Sequence, residues 1–263
     1  MFNPYEPLPT RTRQVLGLVA VAIVVLLWSG ISLSVGSTKL PPPWEVAAAF
    51  VTLLTPNELR DGEILLLTAT LWSTSRVLVA GVLVVVIGVP IGMFMGSSPR
   101  INAALSPLID PFRSAPIVAV LPILVLWMGI GESMKITFLF LGAVVFLIPM
   151  VRDAVIAVPR QYYISARDLG ATPFEAVRHA VLPMAMPRIA DAIIVAVSVM
   201  WTYITVAEYV NAEKGLGQLI QNAKRFSAMD QVFVGIFVII ALALLTYQAM
   251  SMAKRALFPW ESE

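Results

Sequence analysis

Long apolar runs separated by short polar clusters dominate this chain. A bilayer core about 30 Å thick takes about 20 apolar residues per crossing helix. Runs of that kind cover residues 14–35, 71–96, 114–129, 136–151, 191–207 and 232–252. The pattern predicts an all-α polytopic membrane protein with about six transmembrane helices. Between the first two runs, Pro41, Pro42 and Pro43 stop one helix, and residues 44–54 read as a short amphipathic helix lying on the membrane surface. The first run follows Arg11 and Arg13, as a signal peptide would. Its apolar core continues past Trp28 with no small-residue cleavage site, so an uncleaved first helix is expected.

Composition agrees: 59% of side chains are hydrophobic and 13% charged, against about 25% charged in soluble domains. There is no cysteine, which excludes disulfides, iron-sulfur clusters and thiolate catalysis, and the single His179 cannot build a multi-histidine metal site. A net charge of +2, scattered along the chain, gives no footprint for nucleic acid. The charges speak instead to topology. With a cytoplasmic N-terminus, the inner side receives Arg11, Arg13, Arg100, Arg113, Arg152, Arg160, Arg167, Arg178, Arg188, Lys254 and Arg255. The outer side receives Lys39, Arg60, Lys135, Lys214, Lys224 and Arg225, so the positive-inside rule favours both termini in the cytoplasm. The expected organisation is a cytoplasmic tail over residues 1–13, a transmembrane domain over 14–256 and a C-terminal tail over 257–263.

Within the second run, Gly88, Gly92 and Gly96 recur every four residues, a small-residue face on which another helix can approach closely. Pro90 lies in the same stretch, Pro107, Pro111, Pro116 and Pro122 accompany the third run, and Pro149 sits in the fourth, so bent helices are expected. In the fifth run Ser198, Thr202, Thr205 and Tyr209 fall on one helical face. That face either lines a water-filled path or makes interhelical hydrogen bonds. Trp201 and Tyr203 read as packing residues or interface anchors, and Glu208 as part of an outer mouth or as a carboxylate meeting water. Arg76, near the outer start of the second run, either snorkels to the interface or attracts an anionic substrate, with Arg113 a second, cytoplasmic candidate.

The longest polar interruption, about residues 158–186, exceeds what a helix connection needs. It carries its own helix signals: residues 161–169 form a helix ended by Gly170, Thr172 is an N-cap before Pro173 at the first helical position, and a second helix runs to about Val181 and stops before Leu182-Pro183. Two short helices hinged at a glycine make a compact knob. Here the chain resembles the permease subunits of binding-protein-dependent ABC importers, whose signature is Glu-Ala-Ala, three residues, Gly, nine residues, Ile, one residue, Leu-Pro. This chain has Ile164, Ser165, Ala166, then Gly170, Ala180, Leu182 and Pro183 in that register, with three signature positions replaced, the leading Glu among them. The resemblance spans residues 40–255, including the stretches LWSTSRVLVAG, GVPIGMFMG, ILVLWMGIGESMKI and AEYVNAEKGLGQLI. It is strongest to the branch associated with nitrate, sulfonate, taurine and bicarbonate uptake.

The resemblance implies a type I importer permease fold and a bacterial inner-membrane location. It implies work as a pair, with a homodimer favoured, two ATPase subunits below and a periplasmic or lipid-anchored solute-binding protein above, received around residues 212–225. It also implies that Ser165, Ala166, Arg167, Asp168 and Gly170, with the Leu182-Pro183 stop, form the ATPase-coupling segment. The chain itself lacks a G-x-x-x-x-G-K-[ST] phosphate loop, a G-x-S-x-G elbow and a His-Glu-x-x-His helix. No catalytic residue and no metal ligand is therefore assigned, and ATP and Mg belong to the partner. The rival readings are a secondary transporter, which would need inverted repeats or intramembrane carboxylates for ion coupling, and a non-transport membrane scaffold, against which the hinged loop argues.

Overall fold

Buried in hydrocarbon, a backbone must satisfy its own hydrogen bonds, so the apolar runs have little choice but helix. A computed structural model describes residues 9–56, 62–210 and 213–261, and every regular element in it is helical. In chain order these are α1 (Thr10–Val35), α2 (Pro43–Leu54), α3 (Leu65–Ser97), α4 (Pro99–Ile109), α5 (Leu121–Met128), α6 (Glu132–Ile156), α7 (Arg160–Asp168), α8 (Pro173–Ala176), α9 (Leu182–Tyr209), α10 (Leu216–Arg225) and α11 (Met229–Leu257). The expectations placed on residues 1–8, Arg60 and Ala212 lie outside the described residues.

Among the described residues, five stretches are long and apolar enough to cross a membrane: Arg11–Val35, Leu65–Ser97, Glu132–Ile156, Pro173–Tyr209 and Met229–Leu257. The third expected crossing is corrected in form. Residues 114–129 are not one helix: Pro99–Arg113 and Ile117–Met128 meet at a bend of 94° and together make the sixth candidate crossing. The prolines explain the break, because Pro107, Pro111, Pro116 and Pro122 each remove a backbone donor, and the chain resorts to short 3-10 turns at Asp110–Arg113 and Ile117–Val120. Arg113 sits exposed at the bend.

The chain divides into two compact units. One takes the residues up to Leu66 together with Leu219–Ile236. In it Trp28 stacks on Phe233 with ring centroids 5.9 Å apart, its indole N–H donates to the Pro41 carbonyl at 3.0 Å, and the Ser32 hydroxyl donates to the Leu40 carbonyl at 2.7 Å. The triple-proline corner is thereby tied to the end of α1. Helix α2 starts with Pro43 in its first turn and buries Val46, Ala49 and Leu53, the stripe its spacing dictates.

The other unit takes Leu67–Gln218 and the residues from Phe237 onward. Its centre is the pair α6 and α9, around Phe138, Leu139, Leu147, Ile189, Met200 and Ile204, all at most 1% exposed. Gly142 lets the two helices close, since a Cβ there would lie 2.7 Å from a Tyr203 ring carbon, and Phe138 meets Tyr203 edge-on at 5.9 Å. Tyr203 is thus a packing residue, as is Trp201, which is 3% exposed. Gly88, Gly92 and Gly96 of α3 face α6, where Leu147, Val151 and Val155 keep the same four-residue step. A Cβ on Gly92 would lie 2.6 Å from Val151 Cβ and 2.7 Å from the Ile148 carbonyl; on Gly96, 2.6 Å from Val155 Cβ. Because both series ascend together, α3 and α6 run parallel, and the bent α4–α5 segment must carry the chain back between them. Arg152, at the Gly96 end of α6, holds that segment by donating to Asp110 at 2.9 Å and to Ser106 at 3.0 Å.

The glycine face gives a graded test. Gly92→Ala forces backbone apart, whereas Gly88→Ala meets the tip of Leu147 at 3.0 Å and Gly17→Ala meets open space. Thermal unfolding of the purified chain should rank them in that order, with Gly92→Ala costing about 1–3 kcal/mol, the range for overpacking, and Gly17→Ala costing nothing.

Candidate functional site

Arg76 lies three turns into α3, on a helix whose neighbours are almost all apolar, so its charge must be answered by protein or reach water. Its side chain is 2% exposed. It does not snorkel. Instead Nε and Nη2 donate to the two carboxylate oxygens of Glu132 at 2.6 and 2.7 Å, a bidentate pair with the first residue of α6. Nη1 donates to Glu208 at 2.6 Å and to the Lys214 carbonyl at 2.7 Å. The guanidinium carbon also stands 5.5 Å from the centre of the Trp72 ring, within cation–π reach.

Glu208, in the last turn of α9, is fully buried rather than open to water. Besides Arg76 it accepts from the Ser73 hydroxyl at 2.7 Å and from the Gly217 backbone N–H at 2.7 Å, while the Ser73 oxygen accepts from the Leu216 N–H at 2.9 Å. Lys135, 3% exposed, donates to Glu132 at 2.9 Å. Two cations and two anions cancel locally, and Arg76 and Glu208 also bond the backbone at Lys214 and Gly217. Gly215 is required on two counts: its φ is +135°, and a Cβ would lie 2.5 Å from Glu208 Cδ and 2.6 Å from Arg76 Nη1. The cluster is thus a clasp that fastens the α9–α10 connection to α3, α6 and α9. With its donors engaged, Arg76 presents no free guanidinium to an anion.

The hydroxyl-bearing face of α9 stands apart from this clasp. Ser198 turns its hydroxyl to its own helix, donating to the Ile194 carbonyl at 2.8 Å. Thr202 and Tyr209 are exposed and Thr205 half-buried, so this stripe looks outward from the single chain. At the opposite end of α9 the expected hinge is present in full. Helix α7 ends in a Schellman motif: Gly170 has φ +92°, its N–H bonds the Arg167 carbonyl, and the Ala171 N–H bonds the Ala166 carbonyl. Thr172 then caps α8 in a reciprocal capping box with Glu175. Ser165, Arg167, Asp168 and Gly170 are exposed and Ala166 half-buried.

One expectation about this knob is corrected. The chain does not stop before Leu182-Pro183: a π turn at Val177–Val181, closed by the Leu182 N–H on the Val177 carbonyl, carries α8 straight into α9. Pro183 lacks the donor an α-helix needs, and the wider turn accommodates that loss without breaking the rod. Pro173–Tyr209 therefore forms one continuous helical path of 37 residues.

Sequence reading did not single out Ser73, Glu132, Lys135, Gly215 and Gly217 as partners of Arg76 and Glu208. A signal existed in the charges bracketing the start of α6 and in the Gly-Leu-Gly at the start of α10. It also passed over Leu169 and Phe174, 89% and 69% exposed beside the Gly170 hinge.

Removing Arg76 should be costly in a specific way. Arg76→Ala leaves Glu208 buried and unpaired, a change worth about 3–5 kcal/mol, and the fall in thermal midpoint should be much smaller for Arg76→Met combined with Glu208→Leu than the sum of the single changes.

Comparison with known proteins places the whole arrangement. The family described as binding-protein-dependent transport system inner membrane component matches residues 88–258. The taurine transport system permease protein TauC of Escherichia coli (strain K12) is 32% identical, covering 98% of this chain and 93% of that protein. The putative aliphatic sulfonates transport permease protein SsuC of Bacillus subtilis (strain 168) is 28% identical over 94% of this chain and 87% of its own length. Among solved structures, an inward-facing MetNI methionine ABC transporter chain superposes with a TM-score of 0.65 at 25% identity, covering 73% of this chain and 95% of that one. An amino acid ABC transporter chain, at 17% identity and a TM-score of 0.62, shares the fold. The chain thus belongs to the family of binding-protein-dependent transport system inner membrane components, the membrane-spanning permeases of ATP-driven importers.

Proposed function

We propose that this permease moves a small sulfonate of the taurine type into the cytoplasm, driven by an ATPase that grips the knob formed by α7 and α8. The observation that carries the reading is that knob: a glycine-hinged pair of short helices with Leu169 and Phe174 bare to solvent. Ser165, Ala166, Arg167, Asp168 and Gly170 form the docking face, and the Leu182-Pro183 step passes the motion on. ATP and Mg reside on that partner, present in two copies beneath a pair of permease chains, most simply a homodimer. The names of the taurine and aliphatic sulfonate relatives support the substrate class. Nitrate and bicarbonate, the other anions of the resembling branch, are the natural competitors to test.

The mechanism follows from the continuous rod. At 1.5 Å per residue, 37 helical residues reach about 55 Å, far enough to join the knob on the cytoplasmic side to the clasp at the outer end. ATPase closure pushes on α8, and the π turn transmits the push because no break absorbs it. At the far end Glu208 holds the connection to α10, where a solute-binding protein delivers substrate to residues 213–225. Thr202, Thr205 and Tyr209 line the path between two facing copies, and Ser198 contributes its helix face while its hydroxyl stays bonded to Ile194. Tyr and Thr hydroxyls suit a sulfonate in transit, since they donate hydrogen bonds without the tight grip of a free cation. Arg76 and Glu208 border that path as its fixed outer wall. On this reading both termini lie in the cytoplasm of a bacterial cell.

Two measurements decide the reading. Leu169→Ala with Phe174→Ala, or Gly170→Val in its left-handed conformation, should reduce copurification of the ATPase and lower uptake by tenfold or more, on the order of the loss of an apolar contact anchor worth about 2 kcal/mol. Association and uptake at wild-type levels would remove the coupling assignment. For the substrate, uptake of labelled taurine by cells carrying the complete importer should be inhibited by aliphatic sulfonates and untouched by nitrate or bicarbonate. The reverse pattern would overturn the sulfonate assignment and leave the coupling intact.

A further inference from the structure

The face of the molecule at the Gly96 end of α3 carries a cavity of about 1020 Å³. Its deep wall is apolar and belongs to the membrane: Pro90, Met93 and Phe94 lie within the crossing helix α3, and Phe94 is 61% exposed. Ile101 of α4 and Ile156 of α6 continue that wall, 37% and 56% exposed. Its shallow rim carries Tyr163 and two guanidiniums, Arg160 at the start of α7 and Arg178 in the π turn. Both arginines are exposed, and among the described residues neither has a carboxylate partner, in contrast with Arg76 and Arg152.

The two ends of the cavity demand different chemistry from one occupant. A free anion would answer the arginines and leave the apolar wall bare. A soluble protein segment would answer the rim but would have to lay its polar backbone against the apolar wall of a candidate membrane span, where unsatisfied backbone groups are costly. An amphiphile with an acyl chain and an anionic head answers both, and basic pockets at the cytoplasmic ends of membrane helices are suited to phosphate headgroups. Arginine in particular matches a phosphate with two parallel donors.

We infer that this groove is a binding site for an acidic phospholipid, its acyl chain against Phe94, Ile101 and Ile156 and its phosphate held by Arg160 and Arg178. The site joins the ends of α3 and α6 to the knob, so a bound lipid braces the knob against the bundle. The assignment needs only that the chain crosses a bilayer; the cavity also borders Phe174, a contact of the proposed ATPase grip, and adding the ATPase subunits separates the two occupants.

The test uses the purified full-length chain and native mass spectrometry, with phosphatidylglycerol and phosphatidylcholine of identical acyl chains. Each basic residue near an anionic headgroup contributes roughly fivefold in affinity, so phosphatidylglycerol should be retained at tenfold or more lower concentration. Arg160→Gln with Arg178→Gln should abolish that preference and leave phosphatidylcholine retention, which reports on the intact bundle, unchanged. A phosphatidylglycerol carrying a photoreactive acyl chain should label wild-type α3 near Phe94 or α6 near Ile156, a readout that does not depend on the variant folding. Equal retention of the two lipids, a preference that survives the double substitution, labelling elsewhere, or displacement by excess inorganic phosphate would overturn the site. Loss of the label on adding the ATPase subunits would assign the groove to protein contact and overturn it equally.

Discussion

A charge inside a membrane protein has to be answered where it stands, and in this chain one such obligation organises the end of the bundle where α3 and α6 begin and α9 ends. Arg76 sits on an apolar helix, and answering it takes Glu132 from α6, Glu208 from α9 and a carbonyl from the connection that follows α9. Once Glu208 is buried for that purpose, its second oxygen must be satisfied too, which recruits the Gly217 N–H, while the Ser73 hydroxyl lies within hydrogen-bond distance of both oxygens. The result fixes a loop that, by composition, would otherwise be free to wander: residues 213–217 contain two glycines and two opposite charges. Such clusters add little net stability compared with apolar packing, but losing one member is severe, so they specify a single arrangement.

A second constraint acts along α3 and α6. The glycine face brings two backbones to contact distance, and the valines and leucine that fill the space above Gly88, Gly92 and Gly96 leave no freedom of register. With α3 and α6 locked parallel, the intervening segment must recross in few residues, and its prolines let it do so as a bent pair instead of a straight span. The apolar contacts supply rigidity at the centre, and the ion pairs supply it at the ends: the Arg76 cluster at one, Arg152 with Asp110 and Lys254 with Asp191 at the other.

These features suit a subunit of the importer family whose work is to move as a body. The continuous path from Pro173 to Tyr209 is one stiff element, with the left-handed Gly170 placed just outside it. Thr202 and Tyr209 leave exposed hydroxyls on the outward stripe of α9.

Local rules made much of this legible in advance. Contiguous apolar length gave six crossings, and the signals for the hinge, Gly170 for a left-handed cap and Thr172-Pro173 for a helix start, depend only on neighbouring residues and hold in the structure. The four-residue glycine repeat marked a face for close approach for the same reason. What required tertiary structure is whatever depends on distant chain segments meeting. Arg76 and Glu208 are 132 positions apart, and no local pattern distinguishes a snorkelling arginine from a paired one or a water-facing carboxylate from a buried one. The continuity through Leu182-Pro183 was likewise undecidable locally, because a proline ends a helix or is absorbed by a wider turn according to how well the surrounding packing holds the rod together.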